Sequence, residues 1–219
     1  MRKFYLVLTV LFIGLISCEK ENVRPKSIAN QSIPAKPLAE QYPIDLAILD
    51  KFLDEYAIEY VSTNLDISFV KIPTPNANNL LSIRNQTDYP LQSKTVILDN
   101  VAHKIYYLSL RNGTQIAPTN QSIVYMSYKG LTTENNIFDQ NDTSGKFVLT
   151  NLIKGFQEII PLFKSGVYVL NSDKSVRTST DYGAGVMFLP SALGYYDRSN
   201  ISFPAYSPLI FTFKLRHVE

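Results

Sequence analysis

The last hundred residues of this 219-residue chain hold one stretch with helical spacing, and what surrounds it has the spacing of strands. In residues 151–160, NLIKGFQEII, apolar side chains recur at Leu152, Ile153, Phe156, Ile159 and Ile160, one face of a short helix. Asn151 is placed to cap it and Pro161 to stop it. A helix this short is marginal in water by itself, so it needs a sheet to lie against. Val124, Met126 and Tyr128 alternate with Tyr125, Ser127 and Lys129 until Gly130 ends the run, and residues 147–149, 167–170, 186–189 and 209–215 continue the strand signal. Mostly antiparallel strands around one short helix make the fold class α+β. Residues 141–145 are expected to form a polar turn, and residues 171–185, rich in Ser, Thr, Asp and Gly, an inserted loop.

Upstream, Ile44, Ile48, Phe52 and Tyr56 recur at spacing four and predict an amphipathic helix over 45–57, with Asp45 as its cap and Ile44 with Leu49 as a hydrophobic staple. Strands are expected over 67–72, 95–98 and 101–110, separated by an exposed excursion at 73–93. Residues 43–121 thus read as an N-terminal extension that packs on, or contributes to, a domain spanning 122–219.

The chain opens with Arg2 and Lys3, an apolar run from Phe4 to Ile16, and then Ser17 and Cys18. That run is too short for a comfortable membrane span and has the flanks of a secretory signal, so residues 1–17 are expected to be removed. Leu15-Ile16-Ser17-Cys18 resembles the lipobox of bacterial lipoproteins, which implies acylation of Cys18 and stable anchoring by more than one chain. Residues 18–42, with Pro25, Pro34 and Pro37, read as a flexible tether. Glu19, where aspartate would favour inner-membrane retention, leads to the expectation of a cell-envelope protein on the outer membrane. Without Arg2 and Lys3 the chain keeps 19 basic against 19 acidic residues. It therefore has no electrostatic footprint for nucleic acid, and attachment to a membrane rests on lipid.

Familiar catalytic machinery is missing from the sequence. The two histidines, His103 and His217, have no serine or cysteine arrangement that suggests a triad, the single cysteine rules out a Cys-based metal site, and the nine glycines form no phosphate loop. What remains is a concentration of aromatic residues in loops of the C-terminal half.

From Ser122 onward the sequence resembles an FKBP-type peptidyl-prolyl cis-trans isomerase. The resemblance rests on four ordered blocks: VYMSYKG, NNIFDQN, KFVLTNLIKGFQEIIPLFKSG, and FLPSALGYY with FPAYSPLIFTFKL. It implies a curved antiparallel sheet wrapped on the short helix, a monomer, and no cofactor or metal. It also implies a pocket in which Tyr128 and Phe138 line a cradle and Asp139 stands at its edge. Leu152 and Ile153 would form the rim, with the Ile153 N–H offered to a substrate carbonyl; Phe156 would be the floor, Phe211 the back wall, and Tyr195 a hydroxyl donor. Asp139 and Tyr195 would be the residues closest to the chemistry. Three departures stand out: Phe156 replaces a usual Trp, Gly145 falls where another aromatic is common, and residues 197–202 do not match the usual apolar flap. The implied function is isomerisation of X-Pro bonds in proline-containing exported polypeptides, assisting their folding; the alternative is a low-turnover chaperone or binding lipoprotein on the same scaffold.

Overall fold

The computed structural model describes residues 35–173 and 176–219, so the expected signal peptide, Cys18 and the tether as far as residue 34 lie outside the described residues. Their order is α1 (Leu38–Glu55), β1 (Tyr56–Val61), β2 (Ile67–Lys71), β3 (Gln92–Leu98), β4 (Val101–Arg111), β5 (Ile123–Thr132), β6 (Ile137–Val148), α2 (Lys154–Ile159), β7 (Val167–Leu170), β8 (Val176–Thr180), β9 (Gly183–Leu189) and β10 (Leu209–Val218). Six strands make one antiparallel sheet in the order β3-β4-β9-β10-β5-β6, while β1-β2 and β7-β8 are separate hairpins. The fold is α+β, as the sequence pattern implies.

One of the sheet's two central strands explains the layering. All seven residues of β9, GAGVMFL, are buried, which is how a strand covered on both faces reads: continuous rather than alternating. On one face Met187 and Leu189 join Phe211, Phe213 and Leu215 of β10 under Phe156 and Ile159 of α2. On the other, Val186, Phe188 and Ile210 meet Leu49, Phe52 and Leu53 of α1 and Phe69 of β2. Each such side chain contributes about 1.5–3 kcal/mol when fully buried. Residues 43–121 thereby supply two strands of the sheet and the cover of its second face.

The first helix departs from its sequence pattern. It runs Leu38–Glu55 and not 45–57, with Pro43 inside it and residues 38–42 of the expected tether as its first turn. Asp45 does not cap it but sits within it, 1% exposed, and Ile44 is 51% exposed and staples nothing. The buried stripe is Gln41, Asp45, Leu49, Phe52 and Leu53, one residue out of phase with the apolar repeat, because two polar residues face inward and find partners there. At its other end Tyr56 is already extended and opens β1.

The excursion at 73–93 closes that end. The N–H groups of Arg84 and Ile83 donate to the carbonyls of Leu53 and Tyr56, at 3.1 and 2.7 Å, and that of Ile72 to Glu55, at 2.8 Å. These satisfy carbonyls that a helix end leaves without partners. The Arg84 guanidinium reaches both Asp50 and Asp54, one turn apart on α1.

Two further expectations are corrected. Residues 171–185 are not one loop: β8 lies within them and pairs with β7, and β9 begins at Gly183. The strand β5 does not end at Gly130 but continues to Thr132, and residues 142–144 bulge out of β6 between Gly145, opposite Met126, and Asn141, opposite Tyr128. Gly130 is needed for space. A Cβ there would stand 2.7 Å from the Phe138 ring and 2.9 Å from that of Phe211, which is closer than real contacts come. The absent side chain lets two rings cross the strand.

Two outcomes follow from these placements. Gly130→Ala is expected to cost about 1–3 kcal/mol, read as a lower urea midpoint with unchanged m-value. For Asp45, burial pushes the carboxyl above its ordinary 3.8, against the hydrogen bonds from Gln41 and Ser191 that favour the charge. A carboxyl raised in the folded state contributes stability below the unfolded pKa and loses it as pH rises through the folded one. Asp45→Asn lacks this term, so its stability relative to the parent chain should increase as pH is raised from below 3.8 toward neutrality, measured by denaturant titration at each pH.

Candidate functional site

A cavity of about 540 Å³ opens between the concave face of β5, β6 and β10, the residues leading into α2, and the loop after β9. Its size is in the range of small-molecule and peptide side-chain sites. The strand pleat brings the rings in: Tyr128 of β5 lies opposite Phe213 in the ladder, and Phe211 opposite Gly130. Tyr128, Phe156 and Phe211 then converge, with centroids 6.0 Å apart for Tyr128–Phe156, 6.4 Å for Tyr128–Phe211 and 5.1 Å for Phe156–Phe211. Their tilted and edge-on packing is the arrangement favoured by ring quadrupoles. Phe156 and Phe211 are almost wholly buried, and Tyr128 and Tyr195 are half-buried.

Leu152 and Ile153 line the opening, followed at once by α2. Gln157 fixes this approach by donating to the carbonyls of Leu152, at 2.7 Å, and Thr150, at 3.2 Å. Among the described residues, neither the Ile153 backbone N–H nor the Tyr195 hydroxyl has a hydrogen-bond partner. Both are free donors beside the cavity.

Asp139 stands at the exposed edge, where its Oδ2 accepts the Tyr128 hydroxyl at 2.8 Å. Burial and this bond to a carboxylate push the Tyr128 phenol up to about 12. Burial, then the charge of Asp139, also raises Tyr195. Both hydroxyls therefore stay protonated, as donors, throughout the physiological range.

Seven of the eight pocket residues named from the sequence line this one cavity: Tyr128, Asp139, Leu152, Ile153, Phe156, Tyr195 and Phe211. Phe138 does not. Its ring lies against Phe211 at 5.5 Å and Phe203 at 4.9 Å, behind the wall, in the space that Gly130 leaves open. The lining also includes Met126, Phe147, Gly194, Tyr196, Asp197 and Arg198. Phe147 was not read as a pocket residue, although it stands two residues from Gly145 on the same face of β6, where a Cβ on Gly145 would be 2.8 Å from its ring. That ring packs edge-on against Tyr128 at 5.9 Å, so an aromatic wall exists although residue 145 is glycine.

A second polar cluster invites comparison with a triad. Ser191, Asp45 and His103 are all buried, His103 at 0% exposure, but the serine hydroxyl donates to Asp45, and the His103 Nδ1 pairs with the Val101 carbonyl. No substrate reaches these groups, so they make no nucleophile.

No protein-family model and no curated protein matches this sequence. Among solved structures, a peptidyl-prolyl cis-trans isomerase from Pseudomonas syringae is similar at a TM-score of 0.50 and 15% identity, over 84% of this chain and 97% of that one. FkpA from Escherichia coli is 24% identical over 52% of this chain and 48% of its own, with a TM-score of 0.43. The N-terminal domain of FKBP42 from Arabidopsis thaliana is 16% identical over 58% and 94%, also at 0.43. The chain thus shares the fold of the Pseudomonas syringae peptidyl-prolyl cis-trans isomerase.

Proposed function

We propose that the chain is a peptidyl-prolyl cis-trans isomerase. The observation that carries the reading is the convergence of the Tyr128, Phe156 and Phe211 rings, with two free donors and one carboxylate at the rim, on a single cavity. Rotation about a prolyl amide meets a barrier of about 18–20 kcal/mol because planarity carries resonance. The planar amide is strongly dipolar, and the twisted one has lost that charge separation. Dry aromatic walls therefore favour the twisted form over the planar one, and binding that is stronger in the transition state lowers the barrier. The Ile153 N–H and the Tyr195 hydroxyl hold the carbonyls that flank the proline, so that rotation is confined to one bond. Asp139, steered by Tyr128, sets a negative edge beside the amide. It is no general base, because rotation transfers no proton.

Acceleration of cis-trans exchange in a proline tetrapeptide, or of proline-limited refolding, tests this reading. Asp139→Ala combined with Tyr195→Phe is expected to lower kcat/KM by about 10²-fold, the scale of removing preorganised polar groups from a site. An unchanged rate in that variant sinks the assignment.

The cellular setting is part of the same proposal: a lipid on Cys18 holds the domain at the envelope, on the outer membrane, where exported polypeptides with X-Pro bonds are its substrates. It rests on the Leu15-Ile16-Ser17-Cys18 tetrapeptide and the apolar run before it. Cys18→Ser is expected to move the protein from the membrane fraction to the soluble fraction of cell lysates; retention in membranes counts against lipid as the anchor.

A further inference from the structure

We propose that Asp45 is a positioning residue for this site: from within α1 it holds the loop that carries Tyr195, so that the N-terminal helix governs one wall of the pocket. The inference rests on the isomerase reading above.

The loop leaves β9 at Pro190, makes a 3-10 turn over Ser191–Leu193, and delivers Gly194, Tyr195 and Tyr196 to the cavity. Ser191 is its hub. The Ser191 N–H and hydroxyl both donate to Asp45 Oδ2, at 2.8 and 2.6 Å, while Gln41 Nε2 donates to the other oxygen at 2.7 Å. The Ser191 carbonyl in turn accepts the N–H groups of Gly194 and Tyr196, each at 2.9 Å. An unbroken line of hydrogen bonds thus runs from the Asp45 carboxylate to the residues on either side of Tyr195.

A second hold lies one turn outward. The Tyr196 hydroxyl donates to the Lys36 carbonyl, the Lys36 N–H donates to the Tyr206 hydroxyl at 3.1 Å, and the Lys36 ammonium sits 4.8 Å from the centre of the Tyr206 ring. Tyr196 and Tyr206 both have left-handed backbones, φ 49° and 62°. Non-glycine residues keep such conformations where their surroundings over-determine them, and the two hydrogen bonds with Lys36 are part of those surroundings.

Covering the sheet does not require this. A leucine at position 45 would bury the same face without the desolvation of a charge, since buried ionic groups are often replaceable by apolar ones at no loss of stability. What the carboxylate adds is direction: three donors that fix where residues 191–196 lie. With the clasp open, the loop would hold Tyr195 in place for only part of the time. A substrate then binds the competent fraction, and its apparent affinity falls by that fraction while the bound complex turns over as before. A merely destabilising change acts differently, lowering the folded fraction and hence kcat per mole of protein, with KM unmoved.

The test compares the parent chain with Asp45→Ala and Asp45→Asn, measuring KM and kcat on a proline tetrapeptide and amide hydrogen exchange along the chain. Asp45→Ala is expected to raise KM about tenfold with kcat within about twofold, and to speed exchange over residues 191–206 while β5 and β10 keep their protection. Asp45→Asn, whose carbonyl still accepts both Ser191 bonds, is expected to restore most of the affinity. A KM in Asp45→Ala equal to that of the parent, or faster exchange spread evenly through the sheet, overturns the proposal. Should Asp45→Ala fail to fold, Ser191→Ala, which removes the hydroxyl bond to Asp45 at a residue outside the cavity lining, opens the clasp from the loop side and is judged by the same two measurements. If the parent chain does not isomerise the peptide, the functional reading fails instead, and exchange alone decides the clasp: faster exchange confined to 191–206 upholds it, and its absence overturns it.

Discussion

A strand buried on both faces sets the terms for the rest of this structure. With all of β9 out of water, the sheet needs a cover on each side, and each cover does more than exclude solvent. The short helix α2 seats Phe156 against Phe211 and leaves the concavity open at the end of β5 and β10. The long helix α1 closes the opposite face with Leu49, Phe52 and Leu53. The connection from β9 to β10 crosses the end of these two central strands, between the covers, and so meets both: Tyr195 faces the cavity, and Ser191 is bound to α1.

Polarity within the cavity is graded. The deep wall is aromatic and nearly dry, whereas Asp139, Asp197 and Arg198 are exposed at the mouth. Charge at the mouth keeps its hydration and costs little, so the deep part can remain apolar. The hydrogen bond from the Tyr128 hydroxyl to Asp139 links the two zones. It orients the carboxylate without burying it and keeps the phenol protonated. A site arranged in this way suits a change of shape in a neutral group better than a transfer of charge.

How much of this was legible depended on whether polar and apolar residues obeyed the burial they imply. The apolar spacing of 151–160 announced α2, because every apolar residue there faces the core or the cavity. The helix is nevertheless shorter than expected: it runs Lys154–Ile159 with no side-chain cap from Asn151, and Pro161 sits in the 3-10 turn that follows and does not stop the chain's turning. The start of α1 was hidden: Gln41 and Asp45 occupy buried positions through hydrogen bonds to each other and to Ser191, partners 146 residues away for Asp45, and no local period can encode them. The hairpin β7-β8 was hidden because Ser, Thr and Asp in 171–185 read as loop, while its pairing is with a strand before that segment. Among the pocket residues, period-two alternation located Tyr128 and Phe211. It could not show that Phe138 would turn behind the wall, because that depends on the empty space over Gly130, a property of the pair of strands and not of either one.

The two aromatic departures weigh differently once the packing is known. Gly145 looked like a lost ring, yet the Phe147 ring fills the place where a side chain at 145 would begin, and closes on Tyr128. One ring has been supplied from two residues further along the same strand, and a larger residue at 145 would displace it. Phe156 has no such substitute. Its ring is held edge-on by Tyr128 and Phe211 and is 4% exposed, and a phenyl has no N–H to offer a ligand. The floor of the cavity is therefore purely apolar. On the proposed reading, polar recognition would fall to the Ile153 N–H and the Tyr195 hydroxyl at the sides, which would make the placement of the Tyr195 loop more consequential than it would be above an indole.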